Sequence, residues 1–305
     1  MADTNIEWAE KVWNPLKGCT RVSKGCEHCY AERMAVRLQA MGKRGYEGVV
    51  DKHGRWTGRV NLVPEVLAQP LSWKKGVRIF VDSQSDLFHK NVTNEQIAAV
   101  LGVAAATPQH KHLILTKRPE RALEFMEWIV SVAKSNYTDP WTECHWAALN
   151  IERATIGSDG PIHQLSGGDL DRPWPLPNVW IGVSVESDDF ENRIAILRKI
   201  PAAVRFLSIE PMLGPVHEML ERQLNFNDMS DDGAKFPNGA IHWAIFGGES
   251  GAGYREMDME WLAPAIHECD LAGVPVFVKQ DSGPKPGMQG RLSAELWARK
   301  EFPNQ

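Results

Sequence analysis

The chain has 305 residues, of which 43% are hydrophobic and 24% are charged, and its formal net charge is -5. This size can fill a large α/β core without disulfide bonds, and the negative net charge excludes a protein that binds nucleic acid through an overall positive field. No apolar run is as long as a membrane span, and the first residues lack the pattern of a signal peptide. We therefore expect a cytoplasmic protein with no membrane partner.

The first predicted elements surround a cysteine-rich loop at residues 18–30. Before this loop, residues 8–16 form a candidate first or edge strand, although Pro15 interrupts the run. After it, residues 28–42 carry apolar side chains at helical spacing and predict a helix.

Six short apolar runs with polar carboxyl ends follow. They lie at residues 77–82, 112–117, 179–186, 204–210, 242–249 and 275–280. Nearly continuous apolar runs are typical of parallel strands that are covered on both faces. Their alternation with helices fits either a doubly wound sheet or a closed or partial barrel. We predict one α/β domain over residues 1–305, a partial (βα)6-type TIM-like barrel with parallel strands and irregular insertions.

Predicted helices fill most of the connections between these strands. They cover residues 94–107, 119–134, 189–200 and 261–273. Thr93 or Asn94 can cap the first of them, and Pro119 opens the second. Two stretches break the rhythm: residues 135–178 read as an insertion with little regular structure, and residues 225–239 read as a polar loop.

Three of the five cysteines, Cys19, Cys26 and Cys29, lie within eleven residues. Three thiols on one short loop are not a core pattern, and in a reducing compartment they indicate metal or redox chemistry rather than disulfides. A structural zinc site would need a fourth ligand, either His28 or a cysteine or histidine remote in sequence. A thiol-redox pair of Cys26 and Cys29 would leave Cys19 without a role. An iron–sulfur cluster on three thiolates explains the missing ligand, because one iron then stays open to a small molecule.

The cysteine loop, with Tyr30 directly after its last cysteine, resembles that of the radical S-adenosylmethionine (SAM) superfamily. The resemblance implies a 4Fe-4S cluster on Cys19, Cys26 and Cys29, with S-adenosyl-L-methionine on the open iron. It also implies an electron donor such as flavodoxin or ferredoxin and a 5′-deoxyadenosyl radical that abstracts hydrogen from the substrate. The chain departs from the commonest pattern because six residues, rather than three, separate the first two cysteines.

Several further motifs are similar to those of a phage and prophage family regarded as radical-SAM-like. They are WNPLKGCTRVSKGCEHCYAERMA, LTKRP, GVSVES, SIEPML, FGGESG and KQ, and they span residues 13–280. Some members of that family are linked to hypermodification of thymidine in viral DNA, as isomerases that rearrange an amino-acid adduct on the base. The resemblance therefore implies a DNA substrate and, for a phage protein, the host cytoplasm.

Polar residues at the carboxyl ends of the predicted strands give the candidate site. Acidic side chains directly after apolar runs must be paired or bind something, since burial of an unpaired charge is costly. A Gly-Gly-Glu stretch in the superfamily meets the amino group of S-adenosylmethionine, although here it follows a late strand. The predicted catalytic residues are Glu249, Lys279 and Glu210, and the predicted cofactor-binding residues are Tyr30, Asp82, Ser184, Glu186, Gly247 and Gly248. Lys117 and Arg118 are candidates for binding a phosphate or a cofactor carboxylate, and solvated charges at the start of a helix fit these two residues equally well.

Residues 42–75 form a candidate nucleic-acid surface, with seven basic and three acidic residues. Interleaved aromatic residues, Tyr46, Trp56 and Trp73, would stack on unpaired bases. A solvated excursion between helix and strand fits the same composition. The alternative function is a zinc-stapled nucleic-acid-binding protein without catalysis. A cysteine-dependent phage accessory protein or hydrolase ranks last, because the sequence shows no convincing nucleophile, base and orienting acid.

Overall fold

The computed structural model describes residues 4, 6–157, 160–163, 173–224 and 239–304. Within these ranges the strands are β1 (Lys11–Trp13), β2 (Leu16–Lys17), β3 (Asn61–Leu62), β4 (Arg78–Val81), β5 (Lys111–Thr116), β6 (Val179–Ser184), β7 (Val204–Ile209), β8 (Trp243–Gly247) and β9 (Val276–Gln280). The α-helices are α1 (Tyr30–Ala40), α2 (Pro64–Leu67), α3 (Asn94–Ala106), α4 (Pro119–Asn136), α5 (Pro140–Ile156), α6 (Glu191–Leu197), α7 (His217–Leu224), α8 (Leu262–Leu271) and α9 (Ala294–Trp297). Among these described helices, none has the length and apolar content that a bilayer crossing requires.

Seven strands form one parallel sheet in the order β1-β4-β5-β6-β7-β8-β9, and the sheet curls into a half-barrel. The six predicted strands are confirmed, with both ends of each strand within two residues of the prediction. β1 is the predicted edge strand, and it ends before Asn14-Pro15. β2 and β3 pair separately in antiparallel fashion. The parallel sheet brings the carboxyl ends of all seven strands to one end of the molecule.

The two faces of the sheet bury different side chains. The outer face packs against the helices in the main aliphatic core, which includes Ile114 and Ile181. The inner face carries an aromatic layer in which Phe206 and Trp243 are fully buried and Trp8 also packs. Because side chains alternate along a strand, each strand contributes to both cores.

Two of the predicted helices, α3 and α4, begin at the residues that were predicted to start them. The Thr93 hydroxyl accepts a hydrogen bond from the Gln96 backbone amide, and the Thr93 backbone amide donates to the Gln96 side-chain oxygen, which forms a capping box at the start of α3. Pro119 occupies the first turn of α4, where its missing N–H costs nothing.

The prediction of little regular structure across residues 135–178 is wrong for its first half, which contains α5. Asp139 caps this helix by accepting from the Thr142 amide, and its buried residues recur at helical spacing, with Cys144 and Ala148 fully covered. The helix packs along α3, so the segment adds to the core. Residues 158–159 and 164–172 of the insertion, and 225–238 of the predicted polar loop, lie outside the described residues.

Gly102 allows α3 and α5 to approach closely, because a β-carbon there would overlap the carbonyl group of Cys144. We expect Gly102→Ala to lower the free energy of unfolding by about 1–3 kcal/mol through overpacking. Helix propensity alone predicts the opposite sign, a gain of about 0.5–1 kcal/mol. Urea denaturation of the two proteins decides between them, and an equally or more stable variant would contradict the close packing.

Candidate functional site at the carboxyl ends of the strands

Along the inner face of the sheet, aromatic side chains near the start of the strands give way to polar side chains at their carboxyl ends, here called the polar rim. In β4 the inner side changes from Phe80 to Asp82, and in β7 it changes from Phe206 to Glu210. In β5 the same face leads from Leu113 to Lys117. The predicted polar residues of these strands therefore share the face of the aromatic layer and lie at one end of it.

Glu210 and Lys279 form an ion pair on this rim, with 2.5 Å between the carboxylate oxygen and the ammonium nitrogen. The Ser184 hydroxyl donates to the backbone carbonyl of Glu210 at 3.2 Å, and the Gln280 amide approaches its carboxylate at 3.3 Å. A β-carbon at Gly247 would lie 3.5 Å from the Glu210 carboxyl carbon. The structure thus brings together four predicted site residues from β6, β7, β8 and β9.

Glu186 is fully buried and fixes the cysteine loop to the rim. One carboxylate oxygen accepts from the Ser23 hydroxyl at 2.6 Å and contacts the Lys117 ammonium, while the other accepts from Arg193 at 2.9 Å. A side chain at Gly25 would overlap this carboxylate, so the loop needs glycine there. Glu186 therefore anchors the loop in the structure.

Arg118 forms a second anchor. Its guanidinium donates to Asp86 at 2.6 Å and to the Thr20 carbonyl at 3.0 Å. Both terminal nitrogens also lie 3.8 Å from the sulfur of Cys19. The Thr116 hydroxyl donates to the same Asp86 carboxylate at 2.7 Å, which ties the pair to β5.

Glu249, a predicted catalytic residue, forms a bidentate pair with Arg255, with distances of 2.9 and 2.6 Å. Burial opposes ionisation of this carboxyl, but the hydrogen bonds and charge of Arg255 outweigh it and lower its pKa. Arg255 also donates to Glu27 at 2.9 Å and to the Lys24 carbonyl at 3.0 Å. Glu249 thus holds a third anchor of the cysteine loop.

The three loop cysteines are free and partly buried, and they differ in their surroundings. Burial raises the pKa of Cys19 to about 12 and also raises that of Cys29, whose sulfur accepts from the Ala31 and Glu32 amides. Burial acts in the same sense on Cys26, but the Lys117 charge and hydrogen bonds from Val22 and Ser23 lower its pKa.

The donor chemistry of the loop fits a thiophilic metal or cluster, because three free thiols share one segment and amides or cations lie near them. Cys19 and Cys26 each lie close enough to Cys29 for the charges of the two thiolates to interact. Across the part of the chain that the structure describes, no three His, Cys, Asp or Glu side chains form a ready metal-ligand group. The loop therefore presents the thiols without holding them in coordination geometry.

Asp82 is buried beside the loop in a left-handed backbone conformation with φ of 54°. One carboxyl oxygen accepts from the Leu16 amide at 3.0 Å, and the other has no hydrogen-bond partner. Burial raises the pKa of Asp82 to about 7, and burial lowers that of the neighbouring Lys17 to about 8. This carboxyl is the predicted cofactor-binding residue with acceptor capacity left over.

Two other predicted cofactor residues lie close to the loop in different ways. Tyr30 is 46% exposed, and its hydroxyl donates to the Ser83 carbonyl at 2.5 Å, which links α1 to the end of β4. Gly248 follows β8, where a β-carbon would overlap the backbone of Ser282. The Tyr30 side chain is thus accessible to a ligand, whereas Gly248 allows the segment after β8 to pass close to the segment around Ser282.

The basic segment at residues 42–75 packs against the cysteine loop, since a side chain at Gly18 would overlap the Arg59 carbonyl. All seven of its basic residues are exposed: Lys43, Arg44, Lys52, Arg55, Arg59, Lys74 and Lys75. The stacking interpretation of its aromatic residues is wrong for Tyr46, which is 4% exposed in a small apolar cluster. Trp56 and Trp73 pack against apolar clusters as well, so the surface offers charge but few free rings.

Comparison with known families gives one match. The family model described as Protein of unknown function (DUF5131) matches residues 3–295. The chain belongs to this family. No curated protein and no solved structure matches the chain. The DUF5131 model covers the cysteine loop and every strand of the half-barrel.

Sequence reasoning missed the residues that hold the loop in place, Asp86, Arg193 and Arg255. Asp86 lies four residues beyond the predicted strand-end Asp82, and Arg193 lies on a predicted helix. Arg255 bonds to a carboxylate 228 positions away. A surplus of buried acidic strand ends signals that cations must exist, but nothing local in the sequence identifies them.

Replacement of Glu186 by Gln should leave Lys117 and Arg193 without their buried counter-charge. We expect Glu186→Gln to lower the free energy of unfolding by about 3 kcal/mol. The control is Glu191→Gln, which breaks the exposed pair with Arg222 and should have a much smaller effect. Equal losses in urea denaturation would show that the Glu186 network does not anchor the loop.

The raised pKa of Asp82 makes stability depend on pH. Between the ordinary value of 3.8 and about 7, the folded protein holds a proton that the unfolded chain has released, so the wild type loses stability as pH rises. Asn does not titrate and tolerates the same backbone conformation. As the pH rises from 4.5 to 7, we expect the free energy of unfolding of Asp82→Asn to increase relative to that of the wild type by on the order of 2 kcal/mol. A difference that stays constant with pH in chemical denaturation would contradict this assignment.

Proposed function

We propose that the protein is a radical SAM enzyme in which Cys19, Cys26 and Cys29 hold a 4Fe-4S cluster with one iron open to S-adenosyl-L-methionine. The observation that carries the proposal is the position of three free thiols on a loop anchored to the polar rim of a parallel half-barrel. The other two cysteines are fully buried in helices, Cys144 in α5 and Cys269 in α8, which supports a ligand set of three. A (βα)6 TIM-type barrel is the finer architecture of this proposal.

The chain's own residues would bind, orient and enclose the reactants. Cys19, Cys26 and Cys29 would hold the cluster, which when bound would supply the electron that cleaves the sulfonium C–S bond of S-adenosylmethionine into methionine and a hydrogen-abstracting carbon radical. Glu210 and Lys279 present a carboxylate and an ammonium group on the rim, the pair best suited to an amino-acid zwitterion. The unpartnered Asp82 oxygen can accept a hydrogen bond from a ligand's hydroxyl or ammonium group when the carboxyl is ionised, and the protonated carboxyl can donate one.

The substrate within this proposal is thymidine that carries an amino-acid adduct in viral DNA, and the reaction is an isomerisation. The exposed basic residues beside the loop support a polyanionic substrate, because they face solvent on a chain whose net charge is negative. A base in duplex DNA would leave the stack to reach the rim. A flavodoxin or ferredoxin of the host cytoplasm is the proposed electron donor.

The test is anaerobic purification and reconstitution, followed by iron and sulfide analysis. We expect about four iron and four sulfide per chain, and 5′-deoxyadenosine when the reduced protein meets S-adenosyl-L-methionine. Single Cys→Ala variants at positions 19, 26 and 29 should lose the cluster, whereas Cys269→Ala should keep it. A colourless wild-type protein with stoichiometric zinc would overturn the proposal.

That outcome would favour the alternative, a zinc-stapled nucleic-acid-binding protein without catalysis. The exposed basic surface against the loop is the observation that suits it. A structural zinc contributes directly to folding, so Cys19→Ala would then unfold the protein. In the radical SAM case the same variant should keep its circular dichroism spectrum and lose only the cluster.

A further inference from the structure

Two adjacent residues at the end of β5 reach toward different cysteines. Lys117 and Arg118 directly follow β5, and their side chains contact different parts of the cysteine loop, Ser23 and Thr20 respectively. The guanidinium nitrogens of Arg118 lie 3.8 Å from the Cys19 sulfur. The Lys117 ammonium lies 3.4 Å from the Ser23 hydroxyl, which is 3.7 Å from the Cys26 sulfur.

Both cations are built into the structure with little exposure. The Arg118 side chain is 13% exposed and its partner Asp86 is 7% exposed. The Lys117 side chain is 19% exposed against a fully buried Glu186. The third thiol, Cys29, has backbone amides of α1 as its donors. The surroundings of the sulfurs thus differ: Cys19 has the Arg118 guanidinium, Cys26 has the Ser23 hydroxyl with the Lys117 ammonium one contact further away, and Cys29 has backbone amides.

We infer that Lys117 and Arg118 are positioning residues that set the reduction potential of the metal centre held by the loop. The inference rests on the proposed function. Hydrogen bonds and positive charge at ligand sulfurs stabilise the reduced, more negative state of a cluster and raise its potential. Low solvent access strengthens this effect, because water screens a buried charge only weakly.

The ion pair of Arg118 and Asp86 gives the inference a signed test. Loss of the cation in Arg118→Gln should make the potential more negative, and loss of the anion in Asp86→Asn should make it more positive. Both variants break the same anchor of the loop, so a purely structural role would move their stability alike without opposite shifts in potential. Lys117→Gln should act in the same direction as Arg118→Gln through Cys26.

The experiment is a redox titration of the reconstituted full-length protein, followed by electron paramagnetic resonance of the reduced cluster. We expect at least a tenfold change in the oxidised-to-reduced ratio at fixed potential for Arg118→Gln, which is about 59 mV for one electron. The matched control is Arg255→Gln, since Arg255 anchors the same loop through the Lys24 carbonyl and Glu27. For Arg255→Gln, the oxidised-to-reduced ratio at the same fixed potential should differ from that of the wild type by less than a factor of about two.

The outcomes separate this inference from the proposed function. Wild-type protein that takes up no iron overturns both. Wild type with a cluster, and Arg118→Gln and Asp86→Asn with unchanged or equally shifted potentials, overturns the inference alone. If Arg118→Gln fails to load, Arg118→Lys takes its place, because it keeps the charge and loses the two-nitrogen contact to Cys19. A Lys variant at the wild-type potential would then contradict a role for the guanidinium.

Discussion

The arrangement at the mouth of the half-barrel depends on how the buried charge of Glu186 is neutralised. A carboxylate without exposure needs compensating donors, and here they come from three separate parts of the chain, Ser23, Lys117 and Arg193. The same contacts that stabilise the charge also hold the cysteine loop against β5 and β6. The position of the cysteine loop and the stability of the buried Glu186 charge therefore depend on the same contacts.

The other anchors follow the same principle with different residues. Arg118 with Asp86 and Arg255 with Glu249 each pair an acid from the segment after a strand with a cation that also contacts the loop. The three pairs contact the loop at Ser23, Thr20 and Lys24, so it is held at several points rather than one. Precise placement of ligands matters for a metal centre, because small displacements change its affinity and potential.

Much of the fold could be predicted because parallel strands that are buried on both faces leave continuous apolar runs. The strands therefore appear in the sequence nearly where they lie, and their acidic ends mark the rim. α5 was missed because its tryptophans, proline and flanking glycines look irregular, although its buried residues have helical spacing. The cations of the rim could not be assigned, because pairs such as Arg255 with Glu27 depend on the path of distant loops. Whether the loop holds a cluster stays a prediction.

The aromatic layer beneath the rim determines from which end of the sheet the polar residues could be reached. Trp8, Phe206, Trp243 and Phe277 fill the amino-terminal end of the half-barrel, and Phe302 stacks against this floor 5.3 Å from the Trp243 ring. Within the described residues this layer covers the amino-terminal end of the inner face, so Glu210 and Lys279 lie at the opposite end, next to the cysteine loop. Under the proposed function, substrate entry and product release would share this end of the sheet, and the cysteine loop would border the path of both.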